Sequence, residues 1–206
     1  AYIPNYADTG VFKPIVTPRV KNGRLTILFP RRIGDKGRGA DFFLQAWEVL
    51  EKRGCKSHAL FVGSFVGTWK QKNDLEDWAS ARGLGGQLEV FDAPMDDMAS
   101  VYAKADVVVI PSLAQEGTSL SAIEGIVCGI PTVVSHIGGL GNIVINGLNG
   151  HVCDLSPESL ADAIQQAAET RLLENNPEVL AGCRESLGKQ RWERQVWRFL
   201  QQRLGL

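Results

Sequence analysis

The sequence predicts a doubly wound α/β fold: a mostly parallel sheet with helices on both faces. Three observations carry this expectation. Short apolar runs rich in valine and isoleucine alternate with helical patterns from Leu25 onward, the signature of βαβ units. The clearest of these runs, DVVVIP, is apolar almost throughout, as in strands buried on both faces. Glycine or proline closes several of the segments, at Gly83, Pro111 and Gly129, which marks them as separate elements.

Taken in order, residues 1–24 contain Pro4, Pro14 and Pro18 without sustained periodicity and read as an extended lead-in segment. LTILF (25–29) is the first strand. ADFFLQAWEVLEKR (40–53) is a helix with Phe43, Ala46, Trp47 and Leu50 at helical spacing. ALFVG (59–63) is the second strand and DLEDWASARG (74–83) the second helix, ended by Gly83. LEVF (88–91) is the third strand and MDDMASVYAKA (95–105) the third helix. DVVVIP (106–111) is a strand, SLSAIEGIVCG (119–129) a helix and TVVS (132–135) a strand. SPESLADAIQQAAETRLLE (156–174) opens with Ser156 as N-cap and Pro157 in the first turn. Two helices follow Pro177, the last spanning 190–204.

The chain has 206 residues, 44% of them hydrophobic and 22% charged, with a formal net charge of −1. That length can bury a large core. The charge gives no bulk footprint for nucleic acid or an anionic membrane surface. Cys55, Cys128, Cys153 and Cys183 are far apart in sequence and none pairs with histidine at a zinc-ligand spacing, so reduced thiols in a cytoplasmic compartment and no metal site are expected. No apolar run approaches the roughly 20 residues of a membrane span, and no signal peptide is visible. The first residue is Ala1, and a processed product or a piece of a longer protein is expected.

Three segments point to chemistry. In the first, Glu116 and Glu124 stand with seven residues between them where a buried strand gives way to a helix. Two carboxylates in mostly apolar surroundings need hydrogen-bonding partners. Between them, Gly117 allows close backbone approach, and the helix start at Ser119 aims free amides and a positive dipole outward. A ligand with hydroxyls for the acids and phosphates for the amides, such as a sugar nucleotide, satisfies both. The second segment, FPRRIGDKGRG (29–39), carries Arg31, Arg32, Lys36 and Arg38 among glycines. It reads as a diphosphate clamp, since arginine contributes a fork and lysine a mobile point charge. Its spacing fits neither a P-loop nor a dinucleotide fingerprint. The third, HIGGLGN (136–142), is a turn whose Gly138 and Gly139 would let backbone reach a ligand, with His136 outside the site. Each segment taken alone also has an ordinary reading as solvated loop or turn.

Taken together, IPNYADTGVFKP (3–14), RRIGDKG (31–37) and LEVFDAPMDDMASVYAKADVVVIPSLAQEGTSLSAIEGIVCGIPTVVSHIGGLGNIVINGLNGHV (88–152) resemble the C-terminal, donor-binding domain of a GT-B glycosyltransferase of group 1, also called glycosyltransferase family 4. The resemblance implies roles by position. Glu116 would contact the donor sugar, and Glu124 the nucleotide ribose. Amides of Thr118, Ser119 and Leu120, next to Gly117, would meet the phosphates. Lys36 and either Arg31 or Arg32 would stand opposite them. Ala93, Pro94 and Met95 would sit beside the base. It implies retention of anomeric configuration, a UDP- or GDP-sugar substrate, and no metal or other cofactor. Asn142 departs from the acidic residue that many members carry after the double glycine.

The resemblance also implies a missing N-terminal acceptor domain. The expected organisation is an interdomain lead-in at 1–24, a nucleotide-sugar-binding domain at 25–188, and a C-terminal helix at 189–206 packing toward the missing domain. The expected function is sugar transfer in polysaccharide or glycolipid synthesis, with this chain inactive alone and any attachment to the inner membrane peripheral, through the missing domain. The alternatives are a stand-alone, non-catalytic nucleotide-sugar-binding module and, on the same fold, sugar-nucleotide epimerisation.

Overall fold

A computed structural model describes residues 4–14, 23–65, 72–114 and 116–204. Parts of the expected lead-in (1–3 and 15–22), Gln115 and the last two residues of the helix expected at 189–206 lie outside the described residues, as do residues 66–71.

The apolar runs form strands β1 (Leu25–Phe29), β2 (Ser57–Val62), β3 (Leu88–Phe91), β4 (Val107–Ile110) and β5 (Thr132–Ser135), with β6 (Gly150–Cys153) in addition. They build one sheet in the order β3-β2-β1-β4-β5-β6, parallel throughout. Helices α1 (Ala40–Lys52), α2 (Lys72–Ser80), α3 (Met98–Tyr102), α4 (Leu120–Val127), α5 (Pro157–Thr170), α6 (Leu172–Asn175), α7 (Pro177–Leu187) and α8 (Lys189–Leu204) complete the described residues.

Strand side chains alternate between the two faces. Ile27 and Phe29 of β1, with Ala59 and Phe61 of β2, pack under Phe43 and Trp47 of α1 and Ile164 of α5. Leu28, Leu60, Val108 and Ile110 point the other way, against Tyr102 of α3 and Ile123 and Ile126 of α4. Strands covered on both sides must be apolar at successive positions, which is why the valine-rich runs show no alternation.

Three differences from the sequence expectations have physical causes. The helix expected at 95–105 is a 3-10 turn at Met95–Asp97 followed by the short α3. The helix expected at 156–174 keeps Ser156 as its cap, its Oγ accepting from Ser159 N at 3.2 Å, but breaks at Arg171, whose φ is 46°. The lead-in is not extended throughout: Asp8 O accepts from the amides of Val11 and Phe12 at 3.0 and 2.9 Å, closing a turn. Arg184 of α7 holds that turn, donating to Thr9 O, Phe12 O and Val127 O.

The strand order places the site. The chain winds outward from β1 to β3, then crosses back to β4 and winds the other way. Connections turn opposite ways at such a reversal, and a crevice lies there beyond the carboxyl ends of the strands.

Candidate functional site

The loop after β1 and the loop after β4 meet beyond the carboxyl ends of these two central strands. Glycines let them approach closely. A Cβ on Gly39 would stand 1.8 Å from Pro111 O, and Gly39 has a φ of 78°. Gly37 O accepts from Leu113 N at 3.0 Å.

This contact brings Arg31 and Glu116 together. Arg31 Nη2 lies 2.6 Å from Glu116 Oε1, and Arg38 Nη1 lies 2.9 Å from the same oxygen. Arg31 Nη1 also donates to Ser112 Oγ at 2.6 Å, and the Ser112 hydroxyl donates to Glu116 Oε2. Burial pushes the Glu116 carboxyl up. The hydrogen bonds from Arg31 and Ser112 and the charges of Arg31 and Arg38 outweigh it and hold the group below the ordinary carboxylate value. Three of the roughly four lone-pair positions of this carboxylate are taken by protein donors.

The basic loop splits its four cations. Arg31 is buried at 8% exposure. Arg38 is half-buried between Glu116 and Asp35, its Nε 3.6 Å from Asp35 Oδ2. Asp35 caps the 3-10 turn Lys36–Arg38, accepting from Gly37 N. Lys36 projects from this turn and is exposed. The Arg32 side chain is 57% exposed and 3.9 Å from Asp35, a surface pair worth little.

Glu124 lies on α4 and is only 7% exposed. It accepts from Tyr102 Oη at 2.8 Å. Burial raises its carboxyl above the ordinary value, and the Tyr102 bond only partly offsets that. At the start of α4, Ser119 Oγ accepts from Ala122 N. Asn5 of the lead-in donates through its backbone N to Thr118 Oγ1 at 3.0 Å and through Nδ2 to Thr118 O at 2.8 Å. Gly117 is exposed, with open space where a Cβ would stand.

A crevice of about 280 Å³ gathers part of the expected set: Arg31, Arg32, Leu120 and Glu124, with Ala93 and Met95 on the far wall. Met95 is 69% exposed. Lys36, Glu116, Gly117, Thr118, Ser119 and Pro94 do not line it, and Glu116 touches it through Arg31. Gly138 and Gly139 correct one expectation. Their lack of side chains serves the protein's own backbone: a Cβ on Gly138 would stand 2.1 Å from Glu116 O, and Gly139 N donates to that oxygen at 2.8 Å.

Sequence reasoning assigned no role to Ser112 or Tyr102, and it gave Arg38 a place in the diphosphate clamp rather than beside Glu116. Arg38 was visible as part of the basic cluster. Tyr102 and Ser112 look like ordinary core and strand-end residues, and only the fold shows which acids they face. Among the described residues, no group of three or more His, Cys, Asp or Glu side chains is placed to hold a metal ion. None of the described helices is long and apolar enough to cross a membrane.

Comparison with known proteins shows the family and the fold. The family pattern for glycosyl transferases group 1 matches residues 24–170. The D-inositol 3-phosphate glycosyltransferase of Paenarthrobacter aurescens is 32% identical over 200 residues, covering 91% of this chain and 48% of that protein. The chain spans about half the length, or less, of the curated relatives it matches.

Among solved structures, sucrose-phosphate synthase from Thermosynechococcus elongatus superposes with a TM-score of 0.81 at 22% identity, over 98% of this chain and 52% of that one. Anabaena HepE in complex with UDP gives 0.80 at 18% identity, over 97% and 57%. The C-terminal domain of LpcC, a group 1 glycosyl transferase from Francisella tularensis, gives 0.71 at 23% identity, over 85% and 97%. The fold is the Rossmann-like half of the GT-B class. The chain belongs to the glycosyl transferases group 1 family and corresponds to the C-terminal domain of its members.

Proposed function

We propose that this chain is the donor-binding half of a retaining glycosyltransferase, moving a sugar from a UDP- or GDP-sugar to an acceptor held by a separate N-terminal domain. One observation carries the reading. At the reversal point of the sheet, a crevice combines a buried carboxylate, Glu124, with the cations Arg31 and Arg32 and a partly apolar wall at Ala93 and Met95. Ribose hydroxyls, a diphosphate and a base need those three surfaces in that combination. HepE, a structural neighbour, has been solved with UDP, which supports a nucleotide ligand here.

In this reading the crevice residues and the loops beside it divide the donor among them. Glu124 accepts from the ribose. The amides of Thr118, Ser119 and Leu120, with Lys36 and Arg32, face the diphosphate, while Arg31 joins the diphosphate side to Glu116. The remaining lone-pair position of Glu116 accepts a sugar hydroxyl. As the sugar bond breaks, negative charge grows on the leaving diphosphate. Cations and amides already in place stabilise it without reorganising, which is usually the largest catalytic contribution. The positive charge comes from the chain's own groups, so the reading calls for neither a metal ion nor a cofactor. The product belongs to polysaccharide or glycolipid assembly.

The test uses the complete two-domain protein. Lys36→Ala is expected to lower turnover on the order of 10²-fold with an unchanged melting temperature. Near-normal turnover would refute the assignment.

A further inference from the structure

Glu124 is the carboxylate that the proposed function gives to the ribose, and the following inference rests on that reading. A glutamate on a helix has three side-chain torsions, the last of them broad. A buried one needs a partner to fix where its oxygens point. Here the partner is Tyr102, whose hydroxyl lies 2.8 Å from Glu124 Oε2 and 3.1 Å from Ser121 O. Tyr102 is fully buried at the end of α3. Its ring meets Phe12 edge-on, with centroids 5.8 Å apart at 81°. Phe12 in turn sits in the lead-in turn that Arg184 holds. The hydroxyl is therefore delivered to Glu124 by a ring that is locked from behind.

We infer that Tyr102 is a positioning residue for nucleotide binding: it holds Glu124 Oε2 inward and leaves Oε1 to accept from the ribose hydroxyls. A tyrosine kept only for packing would be served equally by phenylalanine, which fills the same space. The hydroxyl is what the inference concerns.

The test is calorimetric titration of the chain with UDP and 2′,3′-dideoxy-UDP, with GDP and its dideoxy analogue alongside. Wild type, Tyr102→Phe, Glu124→Ala and the double variant are compared. Wild type is expected to prefer the ribonucleotide about tenfold or more, the size of a hydrogen bond to a charged group. Tyr102→Phe is expected to weaken the ribonucleotide by a similar factor, leave the dideoxy analogue within about twofold, and add nothing in the Glu124→Ala background.

Equal weakening of both ligands, or full retention of the preference by Tyr102→Phe, would overturn the inference while leaving the site reading intact. Wild type that binds both ligands alike, or neither, would overturn the ribose reading and the inference with it. Phe12→Leu, which frees the Tyr102 ring without removing the hydroxyl, gives a second test. A selective loss of several-fold for the ribonucleotide is expected, and an unselective effect counts against the inference.

Discussion

Glu116 and Glu124 are chemically the same residue in opposite settings. Glu116 sits among two guanidinium groups and a hydroxyl and stays ionised. Because its carboxyl is held below the ordinary value, it adds stability above the unfolded-state value, and this is lost as pH falls through the depressed one. Glu116→Gln is therefore expected to cost about 3 kcal/mol near neutrality, since it leaves a buried arginine without its counter-charge, and to flatten the acid side of the stability curve. Chemical denaturation at pH 3 to 8 checks both.

Glu124 has the reverse sign. Its raised carboxyl favours the neutral form, so its contribution to stability is full below the unfolded-state value and falls as pH rises through the raised one. A ribose contact needs the ionised form. Nucleotide affinity is accordingly expected to fall with acidification from a higher pH than an exposed glutamate would give, and titrations across pH 4 to 8 read this directly. Both acids were legible in the sequence as ligand candidates. Their partners were not, because Arg31–Glu116 and Tyr102–Glu124 are set by which loops the sheet order brings together.

At the scale of elements, the apolar runs announced five of the six strands, with β1, β3 and β5 at the boundaries expected. GHVC of β6 was not legible, since a four-residue edge strand with a glycine and a histidine carries no apolar run. The double glycine at 138–139 was legible as a turn, but what it approaches was not. Gly138 has a φ of 57° and faces Glu116 O. Gly138→Ala is expected to destabilise the chain by about 2 kcal/mol or more and displace the Glu116 loop, measurable as a lower melting temperature together with lost transfer in the complete protein.

Arg171 gives the opposite case. It stops α5 in the left-handed region without being glycine. Arg171→Gly is expected to stabilise the fold by about 0.5–1 kcal/mol, a rise of a few degrees in melting temperature.

At the scale of the whole molecule, the fold class was readable from the alternation of strand and helix, because burial on both faces leaves a compositional mark. The α8 helix has no buried residue, the Trp192 ring lies tilted against Tyr6 with centroids 4.9 Å apart, and Trp197 is 56% exposed. We propose that α8 and the lead-in form the face that meets the acceptor domain. On this account the chain alone performs no transfer, since closure around the substrates needs both halves.

The central claim is that the crevice at the sheet reversal receives a nucleoside diphosphate. Its most direct test is titration of this chain with UDP and with GDP, followed by backbone amide chemical shifts. The account predicts saturable shifts confined to residues 31–39, 93–95 and 117–124 for at least one of the two, with an affinity of about 0.1–1 mM because half the crevice is missing. A second hollow lies between the lead-in turn and the start of α8, lined by Asp8, Thr9, Gly10, Arg184, Arg191 and Arg194 among others; shifts confined to it, or no saturable shifts with either nucleotide, would contradict the account.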